Sequence, residues 1–171
     1  AFSAIDILVL NASVQFRRAW NEPNPAEFDN QVAINLRSTV ELIQLLTPSM
    51  IERGWGRVLT IGSVQQYRPH SQMMIYASLK SAVENITRNL ARQLSHTGVT
   101  FNNISPGIIE TDRNTEALSD PQRRQAALAA VPMGRFGQAE DCVGAALLLC
   151  SDAGSYITGI DLPVDGGLRL P

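Results

Sequence analysis

Short apolar runs that alternate with helical patterns constrain the fold of this chain more than any other feature. The runs are IDILVL at 5–10, RVLTI at 57–61 and VTFNNI at 99–104, and a last strand is predicted at 159–164. Nearly continuous apolar runs of this length are typical of strands buried on both faces of a parallel sheet. Because helical segments separate them, right-handed crossovers are expected. We therefore predict an α/β fold, a doubly wound parallel sheet in three layers, as a single domain over residues 1–171.

The helical segments have recognisable start and stop signals. Asn24 is a candidate N-cap, with Pro25 at the first helical position and Glu27 in a capping-box position. The helix that they open is expected to reach about Arg53, and Pro48 is expected to bend or locally unwind it. Further helices are predicted at about 72–95, 121–130 and 138–150, and a mobile loop is predicted up to about Asp120.

Composition and charge exclude several classes of protein. The 171 residues are 44% hydrophobic and 18% charged, with a formal net charge of -2, which is typical of a globular chain. No basic block suggests a nucleic-acid or anionic-membrane surface. No apolar run is long enough to span a bilayer, and no secretory signal pattern is found. We expect a soluble cytoplasmic protein that binds neither nucleic acid nor a membrane.

The cysteine and histidine residues do not suggest a metal site. Cys142 and Cys150 are eight residues apart in one helical pattern, about 12 Å of rise, which is too far for a disulfide. We expect both to be small buried apolar residues. His70 and His96 have no ligand-type residue at metal-binding spacing, so no structural metal is predicted.

Polar residues stand at the carboxyl ends of the predicted strands. Asn11, Ser63 and Pro106 each follow one strand, and ligands bind at this edge of an open α/β sheet. Tyr76 and Lys80 are four residues apart on a predicted helix, so they lie on one face. An ammonium group beside a phenol is expected to lower the pKa of the phenol toward the range of an acid/base catalyst. The alternative is a chance YxxxK pattern on a solvated helix.

Five motifs in sequence order resemble the short-chain dehydrogenase/reductase family. NAS at 11–13 resembles the NAG turn of the family, and Asn35 falls where the catalytic asparagine is expected. Ser63, Tyr76 and Lys80 match the catalytic serine and the YxxxK motif in order and spacing. PGIIET at 106–111 resembles the cofactor-binding PG motif, and YITG followed by PVDGG resembles the C-terminal signature of the family.

The resemblance implies a role for each matching residue. Tyr76 would exchange a proton with the substrate oxygen, Ser63 would hydrogen-bond that oxygen, and Lys80 would lower the pKa of Tyr76 and hold the nicotinamide ribose. Asn35 would keep an irregularity in its helix and hold a water that relays protons to Lys80. The residues implied to contact the cofactor, besides Tyr76 and Lys80, are Asn11, Ala12, Pro106, Gly107, Ile109 and Thr111. The cofactor would be NAD or NADP.

Two departures from the family pattern stand out. Ser13 replaces the last glycine of NAG, which adds a side chain to that turn. No GxxxGxG phosphate loop occurs in the sequence, so this chain alone is expected to bind a dinucleotide poorly. Either a preceding segment is cleaved or not represented, which we favour, or the chain is a natural fragment.

The resemblance implies an oxidoreductase that moves a hydride between a nicotinamide cofactor and an alcohol or ketone. The alternative is a non-catalytic fragment that acts as an oligomerisation or interaction module. The helices implied to pack between subunits are present in either case, so a homotetramer or homodimer is expected. Gln65, Gln66, Tyr67 and Met73 are expected near the substrate because they are close in sequence to Ser63 and Tyr76. Arg113, Asn114, Arg123 and Arg124 point weakly to a polar or anionic substrate.

Overall fold

Four parallel strands form one sheet in the structure, a computed structural model that describes residues 4–22, 24–115 and 118–171. The strands are β1 (Ile7–Leu10), β2 (Gly56–Ile61), β3 (Val99–Pro106) and β4 (Asp161–Val164), and they lie in this order across the sheet. Val58 of β2 is the register partner of Leu8 on one side and of Phe101 on the other. The carboxyl ends of all four strands therefore lie at one edge.

Helices connect the strands, with boundaries close to those predicted from the sequence. They are α1 (Pro25–Val32), α2 (Ser38–Arg53), α3 (Met74–Leu94), α4 (Asp112–Thr115), α5 (Pro121–Ala129) and α6 (Val143–Cys150). The Asn24 side chain caps α1 by accepting a hydrogen bond of 3.2 Å from the backbone N–H of Glu27. Only the second part of the predicted 138–150 helix is α-helical, since Ala139–Cys142 forms a 3-10 turn.

The first long helix has the irregularity expected at Asn35 but not the one expected at Pro48. The helix continues without interruption through Pro48, which is inside α2, so the expected unwinding there does not occur. Ala33–Arg37, which includes Asn35, forms a π-helical turn between α1 and α2. π turns inside α-helices are frequent at functional sites.

Helices cover both faces of the sheet, which confirms the predicted doubly wound arrangement. On one face, the buried side chains of Leu8, Val58 and Phe101 pack with Ile43 and Met50 of α2. On the other face, Leu59 and Ile104 pack with Leu149 of α6. The sheet is thus the middle layer of three.

Strand β1 differs from its prediction, because only one of its faces is buried. Leu8 and Leu10 are buried against α2, but Ile7 and Val9 are 45% and 48% exposed. The physical reason is that α6 packs against β2 and β3 rather than against the Ile7 side of β1. The sequence of this strand therefore contains more apolar surface than the described residues cover.

Three further predictions have a structural outcome. Cys142 and Cys150 are free thiols, as expected, but both are half-buried rather than fully buried. The predicted mobile loop contains the short helix α4, and Glu116 and Ala117 lie outside the described residues. Within the ranges that the structure describes, no helix combines the length and apolar character needed to cross a membrane.

Candidate active site at the carboxyl edge of the sheet

Ser63 is held rigidly where β2 ends. It is the N-cap of a 3-10 turn, Val64–Gln66, and its Oγ accepts a hydrogen bond of 3.2 Å from the backbone N–H of Gln65. The backbone N–H of Ser63 donates to the Gln66 side-chain oxygen at 2.7 Å. This reciprocal pair is a capping box, and it fixes the direction of the Ser63 side chain at the sheet edge.

A polar network supports this turn from behind. The Gln66 amide donates to Glu84 at 2.8 Å, and the Tyr67 hydroxyl donates to Asp161 at 3.0 Å. A side chain at Gly62 would collide with the Gln66 oxygen and with Asn103, so the close packing requires a glycine there. Gln66 and Tyr67 are therefore supporting residues. They do not line the cavity described below, in contrast to their predicted place near the substrate.

Tyr76 and Lys80 lie on the first two turns of α3 and face the same edge. Both side chains are buried, with 6% and 3% exposure. The Lys80 Nζ donates to the backbone oxygen of Ile61 at 2.6 Å and lies 5.7 Å from the centre of the Tyr76 ring. Because Ile61 is the last residue of β2, this bond joins α3 to the strand that ends at Ser63.

The pKa of Tyr76 is raised above its ordinary value, not lowered as expected from the sequence. Burial is the main cause, since it disfavours the phenolate. The charge of Arg113 and hydrogen-bonding interactions with Ser63, Arg113 and Ser13 act in the opposite direction. Burial, followed by the charge of Arg113, lowers the pKa of Lys80 to about 8. The charge that opposes the effect of burial on the pKa of Tyr76 is that of Arg113.

Asn35 is in the middle of the π-helical turn and is 2% exposed. Its side-chain amide donates to the backbone oxygen of Val14 at 2.8 Å, and its side-chain oxygen accepts from the N–H of Val14 at 2.8 Å. The Thr39 hydroxyl donates to the Asn35 backbone oxygen at 3.4 Å. Asn35 thus anchors the segment that follows β1, rather than pointing into the cavity.

Arg113 reaches across the edge of the sheet to the segment after β1. Its Nη1 donates to the Ser13 hydroxyl at 2.7 Å, and its Nη2 donates to the Ser13 backbone oxygen at 2.5 Å. This contact joins the loop after β3 to the turn in which serine replaces glycine. The sequence singled out both residues separately, but 100 positions separate them, and no local pattern predicts that they meet.

A cavity of about 930 Å³ lies at this edge, and most of the predicted site residues line it. Of those, the lining includes Asn11, Ser63, Tyr76, Lys80, Pro106, Gly107, Ile109 and Thr111. Ala12 and Asn35 do not line it. Residues that the sequence did not assign to the site, Ser13, Arg17 and His70, do line it.

The groups present suit the nicotinamide end of a dinucleotide. The Lys80 ammonium and the Tyr76 hydroxyl are donors of the kind that ribose hydroxyls accept, and the two side chains lie next to each other in the lining of the cavity. Ile108 and Ile109 provide apolar surface beside them. A cavity of this volume is at the upper end of the usual range for small-molecule sites, about 300–1,000 Å³. The residues therefore fit a nicotinamide nucleoside and a small substrate together.

Comparison with known proteins identifies relatives over nearly the whole chain. Residues 1–169 match the sequence profile of the family described as Enoyl-(Acyl carrier protein) reductase. The 3-oxoacyl-[acyl-carrier-protein] reductase of Salmonella typhimurium is 38% identical over 99% of this chain and 68% of its own length. The chain spans about two thirds, 66–68%, of the length of the curated relatives that it matches.

Solved structures give the same result. A gluconate 5-dehydrogenase from Burkholderia cenocepacia, solved with NADP and tartrate, superposes with a TM-score of 0.96 at 33% identity, over 98% of this chain and 66% of that one. A 3-oxoacyl (acyl-carrier-protein) reductase from Agrobacterium tumefaciens with NADP bound has a TM-score of 0.87 at 39% identity, over 96% and 64%. These matches confirm the resemblance recognised in the motifs, and at the level of the family they agree with the predicted enzyme class and the predicted NAD or NADP cofactor. The chain belongs to the short-chain dehydrogenase/reductase family.

Proposed function

We propose that this chain carries the catalytic part of an NAD(P)-dependent oxidoreductase that interconverts an alcohol and a carbonyl compound. The observation that carries the proposal is the meeting of Ser63, at the end of β2, with Tyr76 and Lys80 of α3 in one cavity at the carboxyl edge of the sheet, all three being buried polar side chains. Buried polar groups that share no single structural task are costly to keep together. Their convergence is therefore best explained by chemistry at this edge.

The proposed roles follow from the positions of the side chains. Tyr76 donates its hydroxyl proton to the substrate oxygen during reduction and takes it back during oxidation, since a positioned acid of this kind acts at hydrogen-bond reach. Ser63, which the capping box orients, hydrogen-bonds the same oxygen. Lys80 holds ribose hydroxyls and supplies positive charge beside Tyr76. Asn35 supports the segment after β1 and takes part in a water-mediated proton path to Lys80.

The nicotinamide supplies the hydride when it is bound. Asn11 is proposed to contact the cofactor on the β1 side of the cavity, with Ala12 as its neighbour. Pro106, Gly107, Ile109 and Thr111 are proposed to contact it on the β3 side. The proposed cofactor is NAD or NADP, and the proposed substrates are 3-oxoacyl compounds or sugar acids of the gluconate kind, because relatives with these names match comparably well.

The rival hypothesis is an interaction module without catalysis. It is supported by apolar side chains that α2 leaves exposed, Leu42 at 39% and Leu45 at 74%. The same surface suits the homotetramer or homodimer that the sequence led us to expect, which gel filtration of the natural gene product tests. We also propose a cytoplasmic location.

Titration of the natural gene product with NADH and NADPH separates the two hypotheses. We expect saturable binding of at least one dinucleotide, followed as quenching of Trp20 and Trp55 fluorescence or as energy transfer to the nicotinamide. Turnover is then measured with a panel of ketones and secondary alcohols. If neither dinucleotide binds to the intact protein, the enzyme hypothesis is wrong and the interaction module is favoured.

A further inference from the structure

The cavity contains more positive charge than a neutral substrate requires. Its lining includes four basic residues, Arg17, Lys80, Arg113 and Arg123, and among the described lining residues Asp112 is the single carboxylate. The chain as a whole has a formal net charge of -2. The lining of the cavity is therefore positively charged although the net charge of the chain is negative. A cleft lined by one sign of charge attracts ligands of the other sign.

Among the described residues, these cations have no ion-pair partner. The ion pairs found among the described residues involve other arginines, at positions 18, 53, 57, 88, 124 and 135. The Arg113 guanidinium donates hydrogen bonds to two neutral acceptors, the hydroxyl and backbone oxygens of Ser13. A guanidinium has five N–H donors, so contact with Ser13 leaves others for a ligand.

The position of Arg113 relates this charge to the reacting end of the cavity. Arg113 lines the same cavity as Tyr76 and Lys80, and its charge lowers the pKa of both groups. Ser13 holds the guanidinium over that end by two bonds. An anionic group bound there would thus belong to the molecule whose oxygen lies on Tyr76. A guanidinium that is fixed in direction binds carboxylates in a two-pronged geometry.

We propose that Arg113, oriented by Ser13, is a specificity-determining residue that binds the carboxylate of an oxo-acid or hydroxy-acid substrate. This inference rests on the proposed oxidoreductase function and adds the substrate class. It also gives a physical role to the serine that replaces glycine in the turn after β1, because the Ser13 hydroxyl accepts one of the two bonds that fix the guanidinium.

The test compares matched pairs of keto compounds that differ only in charge. The probes are acetoacetate with methyl acetoacetate, and levulinate with methyl levulinate, which varies the distance from ketone to carboxylate. The natural gene product and its Arg113→Met, Arg113→Lys and Arg92→Met variants are assayed for kcat/KM and, by calorimetry, for binding. Arg92 is exposed on α3 away from the cavity, so Arg92→Met is the control for a lost charge.

We expect the wild type to prefer the acid of at least one pair. Arg113→Met is expected to lose about 10- to 100-fold in kcat/KM and binding for that acid, mainly through KM, and to change little for the ester. Arg113→Lys should recover part of the loss, because lysine keeps the positive charge but cannot bind a carboxylate in the two-pronged geometry of a guanidinium. Arg92→Met should behave as wild type.

Three outcomes overturn the proposal. In the first, the wild type binds and reduces the esters as well as the acids. In the second, Arg113→Met weakens the binding of acid and ester equally. In the third, Arg113→Met weakens the binding of NADH or NADPH instead, which assigns the cation to a cofactor phosphate. In each case dinucleotide binding by the wild type persists, so the outcome is distinct from failure of the proposed oxidoreductase function, in which no dinucleotide binds.

Discussion

At the scale of the residue, Tyr76 is the group whose chemistry is most directly testable. It is buried, and it lines the cavity together with Ser63, Arg113 and Ser13. Tyr76→Phe removes the proton and keeps the ring, so turnover is expected to fall about 100- to 10,000-fold while dinucleotide affinity stays nearly unchanged. Steady-state kinetics and fluorescence titration measure the two quantities. Tyr156→Phe is the control, because Tyr156 is fully exposed. Activity that survives in Tyr76→Phe would contradict the assignment of Tyr76 as the acid/base.

Lys80 carries a second prediction, which concerns pH. Burial lowers its pKa in the folded chain to about 8, from 10.5 as the reference for the unfolded state. Below pH 8 the ammonium is charged in the folded and in the unfolded state, so the full cost of burying its charge lowers the free energy of unfolding. Between pH 8 and 10.5 the unfolded state binds more protons, so the wild type gains stability as the pH rises, and above 10.5 the destabilisation is gone.

Compared with Lys80→Met, the wild type should gain about 3 kcal/mol in the free energy of unfolding between pH 7 and pH 10.5. Urea denaturation of both proteins at several pH values measures this change, since the titrations of other groups cancel in the difference. Lys80 is the only lysine in the sequence, so a single labelled side-chain NMR signal also reports its pKa. A midpoint near 10.5 and a pH-independent difference in stability would refute the prediction.

At the scale of the element, the π-helical turn Ala33–Arg37 and the segment after β1 depend on each other. The Asn35 amide satisfies both the N–H and the carbonyl of Val14, at 2.8 Å each. No local helix signal requires this turn, and its place in the fold is tied to a residue 21 positions away. The helix irregularity thus serves the loop that borders the cavity.

Asn35→Ala should lower the free energy of unfolding by about 2–4 kcal/mol, because two partly buried backbone groups of Val14 lose their partner. Asn30→Ala, on the exposed side of α1, is expected to change it by no more than about 0.5 kcal/mol. Chemical denaturation compares the two variants. Equal effects would mean that the contact with Val14 contributes little.

At the scale of the whole molecule, Asp161 joins segments that are far apart in sequence. Its carboxylate accepts hydrogen bonds from Asn103 at 2.5 Å, from Ser105 at 2.6 Å and from Tyr67 at 3.0 Å. These bonds connect β4, β3 and the turn that holds Ser63. The site is therefore supported by the far strand of the sheet, although that strand contributes little to the cavity.

Asp161→Ala should lower the free energy of unfolding by about 2–4 kcal/mol, since several charge-assisted hydrogen bonds are lost together. We also expect lower kcat from the looser turn around Ser63. Asp29→Ala, an exposed change on α1, is the matched control and should alter neither quantity. Thermal denaturation and steady-state kinetics provide the measurements. A stable, fully active Asp161→Ala variant would show that the network is not needed.

Local sequence patterns predicted the fold class and most of the residues that line the candidate site. Apolar runs and capping signals depend on neighbouring residues, so the four strands, the helix at Asn24 and the motif residues Ser63, Tyr76 and Lys80 were all found from local patterns. The exposed face of β1 and the supporting role of Gln66 were not predicted, because each depends on which distant surface packs beside it.

The electrostatics of the site depend on tertiary packing. From spacing alone, Lys80 was expected to lower the pKa of Tyr76, whereas burial raises that pKa and the opposing charge comes from Arg113. Burial and long-range contacts cannot be read from residue spacing, because they depend on how the loop after β3 folds back over Ser13. Sequence patterns record which groups are present along the chain, and tertiary packing sets the distances and desolvation that decide how those groups act.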